Sequence, residues 1–204
     1  IYGVSIMSGK ITLLWSKIRE LEDELDNEML KRREELSYSL HEKRVIFDQF
    51  VKRQHLKYRK GLIGYVLKGR LLVVLASPVI YSMIIPLVCV DLFFTIYQYI
   101  CFPIYKVKKV KRTDYLIFDR KQLSYLNLIE KLNCIYCSYG NGILAYAMEI
   151  AARTEQYWCP IKHAHRLKYA HSRYHRFVDY GDAEAYVNNL ELLRSQLRSD
   201  EVNK

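Results

Sequence analysis

Residues 71–105 read LLVVLASPVIYSMIIPLVCVDLFFTIYQYICFPIY, a stretch without Lys, Arg, Glu or His whose only acid is Asp91. One membrane-spanning helix takes about 20 apolar residues, so this stretch is long for one crossing and short for two. Pro78 and Pro86 remove backbone donors and favour a bend. The stretch therefore predicts an apolar helical hairpin, re-entrant or two-pass, with Asp91 near the far-side turn, where water solvates it.

Basic residues flank the apolar stretch on both sides. The preceding run, which has no acid after Asp48, consists of Lys52, Arg53, Lys57, Arg59, Lys60, Lys68 and Arg70. The following run, which has no acid until Asp114, consists of Lys106, Lys108, Lys109, Lys111 and Arg112. Because Lys and Arg collect on the cytoplasmic side of membrane segments, both termini are predicted to be cytoplasmic. The second run is predicted to contact the membrane surface and its anionic lipids.

Composition supports the same location. The chain has 204 residues and a formal net charge of +10, and it combines 50% hydrophobic with 26% charged residues. Such a charge predicts a polyanionic neighbour, and cations beside an apolar stretch favour anionic lipid over nucleic acid. Five cysteines and no recognisable secretory signal argue against a disulfide framework. The chain opens with Ile1, and Met7 is the expected natural start.

Residues 1–60 are predicted to form an amphipathic, coiled-coil-like helical arm. Apolar residues recur there at alternating spacings of three and four, like a and d positions of a heptad: Ile11, Leu14, Ile18, Leu21 and Leu25. No Pro or Gly lies between Lys10 and Gly61, which favours one long helix. We expect residues 10–60 to dock a protein partner or to self-associate, or else to fold back on their own domain.

The remaining chain predicts a membrane hairpin at 61–112 and a small helical cytoplasmic domain at 113–204, so the fold class is all-α. Asp119 and Gln122 have the spacing of a capping box for a helix that ends near Asn133. The glycines of "GNG", residues 140–142, predict a turn after that helix. Further helices are expected at 143–157, from Pro160 onward and around 186–197.

Three cysteines and a histidine in this last region form a candidate metal site. The segments NCIYCSYGNG (133–142) and WCPIKH (158–163) supply Cys134, Cys137, Cys159 and His163. If the cysteine pair forms a knuckle and the linking residues form a helix, this Cys3His set suits tetrahedral zinc or an iron–sulfur cluster. A redox thiol pair and ordinary core thiols remain alternatives. Cys89 and Cys101 lie in the apolar stretch and are excluded from the site.

The stretch EKLNCIYCSYGN, residues 130–141, resembles the alkylhydroperoxidase-like (carboxymuconolactone decarboxylase) family. The resemblance implies an all-helical protein in which Cys134 and Cys137 are the dithiol and Glu130 is an acid that assists proton transfer. The histidine position of that family holds Asn141 here.

A broader set of segments, ASPVIYSMIIPL, QYICFPIYKV, YLNLIEKLNCIYCSYGNG and EIAARTEQYWCPIKHA, resembles a family of small uncharacterised bacterial membrane proteins. That resemblance implies the bacterial inner membrane but no reaction. No phosphate loop, dinucleotide fingerprint or Ser-His-Asp pattern indicates an enzyme class. The predicted function is a membrane-anchored, zinc-binding accessory or scaffold protein that docks a partner through its N-terminal helix. The alternative is membrane-bound thiol-redox or iron–sulfur electron transfer through Cys134 and Cys137.

Overall fold

The computed structural model describes residues 9–36, 38–41, 44–47, 49–59, 61 and 71–199. Met7 and three members of the first basic flank, Lys60, Lys68 and Arg70, lie outside the described residues. The described chain is mostly helical, in agreement with the predicted class.

Six α-helices, one β-hairpin and three short 3₁₀ turns make up the elements of the described residues. The helices and strands are α1 (Gly9–Glu35), β1 (Tyr38–His41), β2 (Arg44–Phe47), α2 (Gln49–Lys57), α3 (Leu71–Ser82), α4 (Ile84–Tyr105), α5 (Leu128–Trp158) and α6 (Ala183–Ser199). Their internal contacts divide them into two compact units. The first combines the described residues up to Gly61 with 119–134, and the second combines 71–118 with 135–199.

The first unit corrects the prediction of one unbroken N-terminal helix. Helix α1 ends at Glu35, and β1 then pairs antiparallel with β2, with Tyr38 opposite Phe47 and His41 opposite Arg44. The β-branched pair Val45 and Ile46 favours a strand at this point, although neither Pro nor Gly interrupts the sequence. Strand propensity in the hairpin therefore competes with continuation of the helix, and α2 follows the hairpin.

The apolar stretch does not turn back on itself, so the predicted hairpin is wrong. Met83, between α3 and α4, keeps right-handed helical dihedrals, and the Leu87 amide donates to the Met83 carbonyl at 3.3 Å. Pro86 lacks a donor and interrupts the hydrogen-bond ladder without reversing the chain. Within the described residues, Val74–Tyr105 is one helical segment of 32 residues that is long and apolar enough to cross a membrane. Asp91 consequently lies inside α4, not at a turn.

Helix α4 ends in a Schellman motif. Lys106 adopts a left-handed conformation (φ 57°), and the Val107 amide reaches the Phe102 carbonyl at 2.9 Å. Residues 106–118, called the return segment below, then run antiparallel to α4. Val107 packs in the same core cluster as Phe102, and Arg112 contacts Asp91 further back along the helix.

Helix α5 begins at a capping box that the sequence reading missed. The Asn127 amide donates to Glu130 Oε2 and the Glu130 amide donates to Asn127 Oδ1, both at 2.9 Å. The expected box at Asp119 and Gln122 is a 3₁₀ turn, Arg120–Gln122, without a side-chain cap from Asp119.

The same helix continues through the "GNG" sequence, which corrects the predicted turn. Gly140 and Gly142 are both buried within α5. A Cβ on Gly142 would lie 2.6 Å from the Tyr115 carbonyl oxygen, and one on Gly140 would lie 3.3 Å from Leu87 Cδ1. These glycines allow close packing of neighbouring segments instead of a positive φ angle.

Helices α4 and α5 run parallel in the second unit. Asp91 contacts Tyr139 in the middle of the pair, and Tyr105 stacks on Tyr157 at 4.6 Å near its end. The buried core cluster between them and α6 comprises Phe102, Val107, Val110, Ile143, Tyr146, Ile150 and Leu197.

After Trp158 the chain is mostly irregular, so the helix expected from Pro160 onward is also wrong. A single parallel bridge joins Ile161 to Val178. The last helix is where the sequence predicted it. Gly181 (φ 87°) precedes it, and the Asp182 side chain accepts the Ala185 amide at 2.9 Å.

Candidate functional site

Helix α4 has its polar side chains on the protein side and its apolar side chains on the open side. Asp91, Thr95 and Gln98, spaced i, i+4 and i+7, lie on the stripe, called the inner stripe below, that packs against the rest of the second unit. The exposed residues, called the outer face below, are Ile85, Pro86, Val88, Cys89, Leu92, Phe93, Ile96, Tyr99, Ile100, Pro103 and Ile104. No charged residue of Ile84–Tyr105 lies on the outer face. A contiguous apolar surface of this kind marks a contact with a membrane or another protein.

Asp91, the one charged residue of the inner stripe, is paired with Arg112 of the return segment. Arg112 Nε donates to Asp91 Oδ1 at 3.0 Å, and Arg112 Nη2 donates to Asp91 Oδ2 at 2.5 Å. The Tyr139 hydroxyl also donates to Asp91 Oδ2, at 3.0 Å. This fork-like pairing stabilises a carboxylate that is only 14% exposed. We call Asp91, Arg112 and Tyr139 the aspartate cluster.

The aspartate cluster fixes the ionisation of its members. The hydrogen bond from Arg112 to Asp91 raises the pKa of the guanidinium, so Arg112 stays charged. Burial raises the pKa of the Tyr139 hydroxyl, and its hydrogen bond to the Asp91 carboxylate raises this pKa further.

Gln98 holds the return segment to α4 about two helical turns after Asp91. The Val110 amide donates to Gln98 Oε1 at 2.9 Å, and Gln98 Nε2 faces both the Val110 carbonyl and the Tyr146 hydroxyl. Gln98 is buried, and its side chain supplies the hydrogen-bond partners that the irregular backbone at Val110 would otherwise lack.

The membrane-surface lysines predicted from the sequence lie on this return segment. Val107 and Val110 point into the core, and the residues between and around them are exposed. The exposed lysines, called the lysine row below, are Lys106, Lys108, Lys109 and Lys111. Lys109 Nζ lies 3.9 Å from the centroid of the Tyr99 ring, which belongs to the outer face. The lysine row therefore borders the outer face.

The structure does not bring the predicted metal ligands together. Cys134 and Cys137 lie inside α5, whereas Cys159 follows the end of the same helix. At 1.5 Å per residue, Cys137 and Cys159 are separated by roughly 33 Å along the helix axis. Two sulfurs on one zinc ion lie about 4 Å apart. Among the described residues, no group of three or more His, Cys, Asp or Glu side chains has the arrangement of a metal site.

His163, the fourth predicted metal ligand, contacts Tyr174. Its ring stacks on Tyr174 with 6.3 Å between the ring centroids, and its amide donates to the Tyr174 hydroxyl at 2.6 Å. The Cys3His set thus does not fit zinc or an iron–sulfur cluster in this arrangement, and both cofactors remain predictions without structural support.

The alternative dithiol keeps its spacing on one helix. Glu130, Cys134 and Cys137 follow one another at i, i+4 and i+7 in α5, and Cys137 is exposed. However, Glu130 Oε2 caps the helix by accepting the Asn127 amide. Asn141, at the position of the family histidine, donates to the Cys137 carbonyl at 2.9 Å. The redox role of this dithiol remains a prediction.

A second polar cluster holds the irregular region after α5 against the helix. Glu149 Oε1 accepts from Arg153 Nε at 2.8 Å and from Arg173 Nε at 3.1 Å. His171 Nε2 lies 3.0 Å from Glu155 Oε2. The i,i+4 spacing of Glu149 and Arg153 is visible in the sequence, but the pairing with Arg173 requires the fold.

The first unit contains a cavity of about 280 Å³ that the sequence did not indicate. Its lining is part apolar and part ionisable: Leu36, Phe47, His55, Asp119, Arg120, Leu123 and Tyr125. The His55 ring packs edge-on between Phe47 and Tyr125, at 5.3 and 5.2 Å. The edge-on packing indicates that His55 contributes to the local core.

No protein-family model, curated protein or solved structure matches this chain.

Proposed function

We propose that this chain is a membrane-anchored accessory or scaffold protein that self-associates through α1. The observation that carries the anchoring is the outer face of α4, because apolar residues occupy every exposed position while the polar residues face the protein. Water does not favour such a surface, whereas lipid hydrocarbon does.

Helix α1 supports the assembly role. Leu14, Ile18, Leu21 and Leu25 are all exposed, although they form a single stripe with heptad spacing. With Ile11 as position a, Lys17 takes position g and Glu22 takes position e of the next heptad. In a parallel, in-register pair of identical helices, g of one chain faces this e of the other, so each pair gains two Lys17–Glu22 contacts. This charge complementarity favours a second copy of the chain as the partner.

The contact between the two copies is formed by positions a and d of α1 and is called the seam below. It extends over only about two heptads, which is short for a stable pair in solution. Anchoring to a membrane confines both copies and raises their effective concentration. The pair is therefore expected to form at the membrane surface and to dissociate in dilute detergent.

The test compares seam and off-seam leucines of the full chain in lipid nanodiscs and vesicles. Leu14→Glu should weaken association at least about tenfold, because it places charges in the seam. Leu13→Glu is the matched control, since Leu13 (56% exposed) is as open as Leu14 (51%) but lies at position c.

Charge exchange tests the parallel register. Lys17→Glu and Glu22→Lys should each weaken association several-fold, and the double exchange should restore it. A chain that stays monomeric throughout, or one whose association ignores Leu14, contradicts self-association. Recovery of a different protein that depends on Leu14 would instead identify a heterologous partner.

A further inference from the structure

We propose that α3 and α4 bind within one leaflet of an anionic bilayer and do not cross it, with the lysine row at the level of the lipid headgroups. This inference rests on the membrane anchoring proposed above and specifies its geometry.

The first argument is the path of the return segment. It accompanies α4 from Tyr105 back to Asp91, a distance of roughly 21 Å along the helix. In a helix that spans the membrane, this path would carry Arg112 deep into a hydrocarbon layer about 30 Å thick. The lysine row would be drawn into the same layer, where charged side chains are strongly disfavoured.

The second argument is the backbone of that segment. Apart from the 3₁₀ turn Arg112–Asp114, residues 106–118 are irregular. Irregular backbone at membrane depth is tolerated only where protein covers it or where it lines water. Gln98 covers Val110, but Lys108, Lys109 and Lys111 are exposed. The side of α4 that carries the return segment therefore faces headgroups and water, and only the outer face contacts hydrocarbon.

The third argument is the charge on the two sides of the apolar stretch. Both flanks are basic and free of acids next to the stretch, which places both on the same, cytoplasmic side. A single crossing separates the flanks, whereas a helix bound in one leaflet keeps them together. The structure contradicts the predicted apolar hairpin. The predicted location of both basic flanks on one side of the membrane does not depend on that hairpin.

The fourth argument is the shared edge of the outer face and the lysine row. Amphipathic helices bound in the plane of a membrane insert an apolar face by about 5–10 Å and keep cations at the headgroups. Lys109 over the Tyr99 ring joins the two surfaces at their border. Tyrosine and lysine are both suited to this depth.

Topology is tested with the full chain carrying a peptide tag at each end. Protease is added to inside-out and right-side-out membrane vesicles from cells that produce it. Both tags should be digested in the inside-out vesicles and protected in the right-side-out vesicles. Digestion of the two tags from opposite sides would show a crossing and overturn the single-leaflet geometry while leaving membrane anchoring intact.

Headgroup contact is tested by flotation of the full chain, diluted from detergent, with two kinds of vesicles. One kind contains phosphatidylcholine and phosphatidylserine, and the other contains phosphatidylcholine alone. Lys108→Gln with Lys109→Gln should weaken binding to the anionic vesicles roughly 25-fold, at about fivefold for each lysine near the surface. Binding to the neutral vesicles should change little.

The matched control, Arg166→Gln with Lys168→Gln, removes the same charge from exposed positions outside the row. An equal loss with this control contradicts the assignment of the lysine row. If the unaltered chain floats with neither kind of vesicle, both the anchoring and the single-leaflet geometry are refuted.

Discussion

At the scale of single residues, Gly142 shows how the second unit depends on close packing. Gly142→Ala is expected to lower the free energy of unfolding by up to about 2 kcal/mol, because the new methyl meets the Tyr115 carbonyl oxygen at 2.6 Å. Overpacking of this kind costs about 1–3 kcal/mol, against a gain in helix propensity of about 1 kcal/mol. Chemical denaturation in one detergent measures the difference.

Gly140→Ala is the control for that substitution. Its methyl meets only the end of the Leu87 side chain, at 3.3 Å, so the gain in helix propensity is expected to leave stability equal or higher. Equal losses from both substitutions would show that the helix itself, and not the approach of Tyr115, determines the effect.

The aspartate cluster is a second feature whose contribution to the free energy of unfolding can be measured. Asp91→Asn removes the charge that holds the Arg112 fork and is expected to cost about 1–2 kcal/mol of stability. Asp179→Asn, which also removes an aspartate paired with a cation, is expected to cost less than about 0.5 kcal/mol, because Asp179 is 75% exposed. Similar losses at the two sites would contradict a special role for the cluster.

At the scale of elements, substitutions of Glu130 distinguish its role as a cap of α5 from a role in redox chemistry. Glu130→Gln is expected to keep the stability within about 0.5 kcal/mol, because glutamine also closes a capping box, whereas Glu130→Ala should lose about 1 kcal/mol. A redox role predicts a different pattern. The rate at which Cys134 and Cys137 oxidise and are reduced would then fall as much with glutamine as with alanine, since both remove the acid.

The elements that the sequence predicted well are those fixed by local patterns. The apolar stretch became α3 and α4 because its composition allows little else, and α6 follows from its apolar spacing and the Asp182 cap. The breaks were predicted poorly. Glycine in the "GNG" sequence indicates a turn by local rules, yet here Gly142 admits Tyr115 and Leu116 of the return segment, which lie 27 and 26 residues earlier in the chain.

The same limit explains the candidate sites. The lysine row was predictable, because charge beside an apolar stretch is a property of the sequence. The Cys3His set depended on a helix break at "GNG", and an unbroken α5 separates its two halves. The partner of Asp91 required the path of the return segment, which no local pattern shows.

At the scale of the whole molecule, metal analysis tests the separation of the cysteines. Purified protein is expected to contain less than stoichiometric zinc, because Cys137 lies inside α5 and Cys159 follows its distant end. Elemental analysis before and after dialysis against a chelator is the measurement. Stoichiometric zinc that disappears in the Cys159→Ser variant would require a different arrangement of α5.

The two sides of α4 also differ in what they demand of a side chain. Under the membrane anchoring proposed above, the outer face meets lipid tails, which have no fixed shape. Any apolar residue there then serves as well as another, and only the total apolar area and the absence of charge matter. The inner stripe meets a close-packed interior in which each side chain has one shape and one set of partners. Over evolutionary time the outer positions are therefore free to interchange among Leu, Ile, Val and Phe. Asp91, Gln98 and Phe102 are not free to interchange in this way. The two sides of this one helix are therefore expected to accumulate substitutions at different rates.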